Sequence, residues 1–173
     1  METIVALAIF TTVLLASFSA FTLSLGAHRA VLAEKAIAEN VNYAVEFMSR
    51  QMRVAKRDGA GGCIASNTTY QTPLSTEIRF INGGDECVRF FLLGGAIQYE
   101  NITNDSGTII PLTTGASVSI DTLNFSILGE LRIDNEQPRV TITISASGVG
   151  ERPEIQGVRV DIQTTVVARG LDI

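Results

Sequence analysis

Residues 3–27 read TIVALAIFTTVLLASFSAFTLSLGA, and these 25 consecutive residues include no Asp, Glu, Lys, Arg or His. As an α-helix rising about 1.5 Å per residue, the stretch would reach roughly 37 Å, more than the roughly 30 Å hydrocarbon thickness of a bilayer. It is long enough to cross a membrane. A secretory signal peptide has a shorter apolar region of about 7–15 residues, preceded by basic residues and closed by a small-residue cleavage site. Met1-Glu2 supplies no positive charge, and the helical pattern runs on through His28-Arg29-Ala30-Val31-Leu32. A retained segment is therefore expected rather than a removed signal.

Working outward, no proline precedes Pro73 and the only early glycine is Gly26, so nothing interrupts a single long helix. Ile37, Val41, Val45, Met48, Met52 and Ala55 recur at spacings of three and four and share one helical face. Lys35 with Glu39 and Glu46 with Arg50 stand four apart and suit exposed ion pairs. Lys56-Arg57 followed by Asp58-Gly59-Ala60-Gly61-Gly62 is a stop signal. The expectation is a helix over residues 1–57, with 3–27 apolar all round and 28–57 amphipathic, then a head over 58–173.

From residue 63 the hydrophobic period becomes two. Expected strands are Glu77 to Ile81, Cys87 to Leu93, Ala96 to Glu100, Ser117 to Leu128, Arg139 to Ala146 and Val158 to Val167. Val118 and Ile120 share one parity whereas Leu123, Phe125 and Ile127 share the other, which predicts a bulge near Asp121-Thr122. Asn82-Gly83-Gly84-Asp85 and Gly94-Gly95 read as hairpin turns. One antiparallel sheet with a half-buried face needs a cover, and residues 30–57 are the only helix available for it.

Charge divides along the chain. Residues 1–57 hold six basic and four acidic side chains, whereas residues 58–173 hold seven basic and fourteen acidic ones. An acidic head argues against nucleic acid as a partner, because neutralised phosphates supply most of the affinity in such complexes. The cationic group Arg50, Arg53, Lys56 and Arg57 reads as a solvated helix end that complements the helix dipole. Cys63 and Cys87 both fall in the part that lies outside a membrane, where oxidation is permitted. A disulfide is expected; two free buried thiols or half of a metal site are the alternatives. The last is short of ligands, since the sole histidine is His28.

Glu2 is a carboxylate at the edge of the apolar stretch, costly to bury unless neutralised or paired. It either rests at the lipid-water boundary or is buried among neighbouring helices against a positive group. The segment Glu2-Thr3-Ile4-Val5-Ala6-Leu7-Ala8-Ile9-Phe10 resembles the start of mature type IV pilins and type II secretion pseudopilins. In that family a leader is removed before an aromatic residue, and a glutamate sits fifth. The resemblance implies an α+β, pilin-like fold: a protruding helix half, and an amphipathic half packed on an antiparallel β-sheet head. It makes Glu2 the assembly residue, meeting the N-terminus of a neighbouring subunit. It also implies that Ile4, Val5, Leu7, Ile9, Phe10, Val13, Leu14 and Phe18 pack helix to helix in a filament core.

The implied partners are other pilin subunits, the inner membrane before assembly, and the pilus assembly machinery; after assembly the chain would lie in an extracellular or periplasmic filament. Ahead of Glu2 there is no basic leader, no glycine and no trio of mature residues, so the numbering is expected to begin within the mature protein. An uncleaved single-pass anchor bearing a binding module is the alternative. Phe47-Met48-Ser49-Arg50-Gln51-Met52-Arg53, the glycine-rich stop and then a two-sheet β domain ending in Gln163-Thr164-Thr165-Val166-Val167-Ala168-Arg169 are similar to minor pilins and J-type pseudopilins, which commonly sit at or near a filament tip.

No hydrolase elbow, phosphate loop or zinc motif is present, so no enzyme activity, cofactor or metal is expected. Asp121, Asp134, Glu136 and Asp161 read as solvated charge, and Asp134-Asn135-Glu136 is too short an acidic cluster to argue for calcium. Asn67, Asn101, Asn104 and Asn124 open Asn-x-Ser/Thr sequons, which Asn/Thr-rich chains also produce by chance.

Overall fold

Helix α1 spans Glu2–Arg53 and, at about 1.5 Å per residue, is roughly 78 Å long. The computed structural model describes residues 2–103, 108–115, 117–130, 136–150, 155 and 157–169. Met1, the sequon at Asn104, and Asp134 and Asn135 of the acidic cluster lie outside the described residues. The fold is α+β, with one long N-terminal helix and an antiparallel β domain.

The helix stops four residues short of the expected end, and its last carbonyls explain why. Met52 O accepts from Ala55 N at 3.1 Å and from the buried Tyr70 hydroxyl at 2.6 Å. Arg53 O accepts from Arg169 N at 2.9 Å, and Lys56 N leaves the helix for Ile81 O at 2.9 Å. Groups that would have continued the ladder are taken by the head, so Arg50 and Arg53 occupy the final turn in place of Lys56 and Arg57.

The head holds two sheets, where alternation alone implies one antiparallel sheet and the resemblance to minor pilins implies a two-sheet domain. Strands β1 (Tyr70–Leu74), β2 (Glu77–Ile81), β3 (Cys87–Leu93), β4 (Ala96–Asn101) and β5 (Ile109–Pro111) form an antiparallel sheet in sequence order. Strands β6 (Val118–Leu128), β7 (Arg139–Gly148) and β8 (Arg159–Val167) form the second. The two edge strands β1 and β5, absent from the sequence reading, each carry a proline, which a central strand would not tolerate. Strand β6 ties the sheets together: Ile120 N donates to Gly95 O and Phe125 N to Ser75 O, both at 2.8 Å.

The expected bulge is there. Ile120 pairs with Ala146 and Thr122 with Ser145, so Asp121 is the extra residue, and Ile120 and Leu123 both reach the core despite opposite parity. Gly94 and Gly95 turn β3 into β4 with φ of 60° and 73°, the left-handed values that a two-residue hairpin requires.

Ile37, Val41, Ala44, Met48 and Met52 of α1 join residues from both sheets in one core cluster. Phe47 adds edge contacts to Phe90 at 6.2 Å and Tyr99 at 5.6 Å between ring centroids. The amphipathic half of the helix is therefore an integral part of the head, and its orientation sets the direction in which the apolar half projects.

Candidate membrane and assembly helix

The apolar half of α1 has nothing packed over it. Every large side chain assigned by resemblance to helix packing is exposed: Ile4, Val5, Leu7, Ile9, Val13 and Leu14, with Phe10 at 61% and Phe18 at 69%. Glu2 is in the first turn, exposed, where its carboxylate complements the positive end of the helix dipole. The head thus brings none of these residues into a shared site within one chain. They form a continuous apolar rod with one acid, Glu2, in the first turn of α1.

Four of the seven hydroxyls along residues 3–27 are satisfied within the helix. Thr11 donates to Ala8 O at 3.0 Å, Thr12 to Ile9 O at 2.8 Å, Ser17 to Val13 O at 2.8 Å and Thr22 to Ser19 O at 2.9 Å. Each bond closes on the preceding turn, so these polar atoms need no water. A helix without water around it requires that, because an unsatisfied polar group in hydrocarbon costs several kcal/mol. The sequence contained this signal in its isolated Thr and Ser residues, but the local bonding becomes visible only with the helix built.

By length and composition, this one N-terminal helix can cross a membrane, and none of its most apolar window is buried inside the molecule. No protein-family model, curated protein or solved structure matches the chain.

That junction is heavily braced. The Asp58 carboxylate accepts from four backbone N–H groups: Ala60 at 3.0 Å and Gly61 at 2.7 Å on Oδ1, Cys63 at 2.8 Å and Ile64 at 3.1 Å on Oδ2. These donors, Cys63 foremost, pull its pKa down to about 2. The loop so wound presents Cys63 to Cys87, and the two are joined in a disulfide with Cα atoms 5.5 Å apart. Glu130 performs a related service at the sheet edge, accepting from Thr69 N at 2.9 Å and Tyr70 N at 3.0 Å. Burial, then the Glu130 charge, raises the Tyr70 pKa and keeps its hydroxyl a donor to the helix end. Asp58 and Glu130 escaped the sequence reading as bracing groups, because a carboxylate in a loop carries no periodic signal.

The cationic cluster at the helix end is partly neutralised in place. Arg50 pairs with Glu46, and Lys56 Nζ stands 2.7 Å from Asp85 Oδ1. On the five-stranded sheet, Arg79 lies opposite Arg89, and Glu77 contacts both, at 2.6 and 3.5 Å. Asp121 Oδ1 accepts from Ser147 Oγ at 2.9 Å, and Asp161 Oδ1 accepts from Arg159 Nε at 3.3 Å.

Proposed function

We propose that the chain is a structural subunit of a type IV pilus or pilus-like filament, of the minor, tip-associated kind, held in the inner membrane before assembly. One observation carries the reading: half of a continuous helix is built into a disulfide-braced head, while the other half projects as a bare apolar rod with Glu2 in its first turn. In lipid that rod is solvated. Outside lipid it must be covered, and other copies of the same kind of helix supply the cover through close packing.

A type II secretion pseudopilus would use the same rod in a shorter periplasmic filament, and an anchored binding module would leave it permanently in lipid. Fractionation of the native protein separates these. A pilus subunit is recovered with filaments sheared from the cell surface, and a pseudopilin in envelope filaments. A detergent-soluble monomer absent from every filament fraction would contradict both filament readings.

A further inference from the structure

Three of the four outer sheet edges in the head are blunted. Strand β1 carries Pro73 and a register break between Gln71 and Leu74, β5 is three residues long and ends in Pro111, and β6 spends edge groups on Gly95 O and Ser75 O. Strand β8 is different: its nine residues pair with β7 without a break and include no proline or lysine. Gly148 N donates to Val158 O and Ala168 N to Pro138 O, both at 3.1 Å. By the antiparallel alternation, the even-numbered residues of β8 therefore bond to β7, and the odd-numbered ones turn N–H and C=O away from it. Among the described residues, no bond is made to the outward backbone groups of Arg159, Asp161, Gln163 and Thr165, whose side chains are exposed.

The helix leaves this edge open. Ala33 and Ala36 share a groove with Val149 and Ile155, just before β8, whereas Arg53 O meets Arg169 N just past its end, so α1 and β8 run in the same sense. Val166 and Ala168, beside the helix end, are buried, but Val158, Val160, Ile162 and Thr164 stay half-buried, although Val140, Ile142, Ile144 and Ala146 of β7 are fully covered. One more strand would complete both the ladder and this apolar row. We propose that β8 takes up, as an added strand, an extended segment of a different polypeptide, with alternate apolar residues covering Val160 and Ile162 and small polar ones beside Gln163 and Thr165. A comb of backbone donors and acceptors selects an extended backbone, and the half-buried row selects the alternation. A second copy does not suit the edge: a symmetric antiparallel pair of β8 strands would point the two rods in opposite directions, and one membrane holds them parallel. The proposal requires only that the rod be anchored and stands apart from the filament reading.

The test uses the full-length chain in detergent and an end-blocked peptide that alternates valine with threonine over the nine-residue length of β8. Amide hydrogen exchange is read residue by residue by NMR. Without peptide, Asp161, Gln163 and Thr165 should exchange fast, and Val160, Ile162 and Thr164 slowly. At about ten times its Kd, the peptide should slow the first three about tenfold. The fully N-methylated peptide, which cannot donate, should not. Gln163→Pro removes one outward N–H without touching the β7 ladder, so it should keep Val160 and Thr164 protected and lose the peptide effect. Unchanged exchange at the three outward amides with millimolar peptide overturns the proposal, as does equal slowing by the N-methylated peptide. Slowing that follows chain concentration without any peptide would assign the edge to a second copy and also overturn it.

Discussion

Truncating Met48 to alanine should weaken the head, whereas truncating Leu14 on the same helix should leave it untouched. Met48 is 0% exposed in the core shared with both sheets, while Leu14 is 52% exposed on the bare rod. The change at Met48 removes about three heavy atoms, worth about 2.4 kcal/mol at roughly 0.8 kcal/mol per buried group. The cavity left behind adds to this, for a total of about 3–4 kcal/mol. Urea unfolding of the detergent-solubilised chain can be followed by tyrosine fluorescence, since Tyr70 is buried and Tyr99 packs on Phe47 and Phe90. The expected result is a midpoint shifted down for Met48→Ala with unchanged slope, and a wild-type curve for Leu14→Ala. A loss under about 0.5 kcal/mol at Met48, the size of an ordinary surface substitution, or equal losses at both sites would mean that the helix is not divided between head and rod as described.

Other consequences concern the brace. Replacing both Cys63 and Cys87 by serine opens a loop with a sequence separation of 24 and should cost about 3.5 kcal/mol, checked by urea unfolding with and without reductant. Asp58 has a folded pKa near 2, below its ordinary 3.8, so its contribution is complete above pH 3.8 and disappears as pH falls through 2. Acid titration of stability should show that limb in the wild type, and Asp58→Asn should lose it while weakening the head at neutral pH, because an amide cannot accept on both sides. Tyr70→Phe removes the buried donor to Met52 O, which keeps its bond from Ala55 N, and should cost about 0.5–1.5 kcal/mol by the same unfolding assay.

The helix and most of the strands could be read from periodicity, because a 25-residue uncharged run and strict alternation such as Val140, Ile142, Ile144 have few physical alternatives. The bulge at Asp121 was equally legible, since a parity change within one strand admits little else. What escaped depended on partners distant in sequence. Tyr70–Leu74 and Ile109–Pro111 are short, proline-bearing and without alternation, and become strands only because β2 and β4 offer them an edge. Alternation also says which face of a strand is buried, not which strands pair, so periodicity alone implied one sheet, and the two-sheet head was legible only through the family resemblance. The helix end moved for the same reason, once Ile81 O captured Lys56 N. At the candidate site, Glu2 and the packing residues were identifiable as types in a pattern, whereas the bracing by Asp58 and Glu130 exists only where the folded head meets the helix.

If the bare rod leaves lipid for a filament core under the direction of Glu2, removing that one carboxylate should separate insertion from assembly. The most direct test is electron microscopy of sheared material from cells expressing the Glu2→Ala chain, with membrane fractions probed in parallel. Normal amounts of the chain are expected in the membrane and none in filaments. Wild-type incorporation of Glu2→Ala into filaments would contradict the central claim.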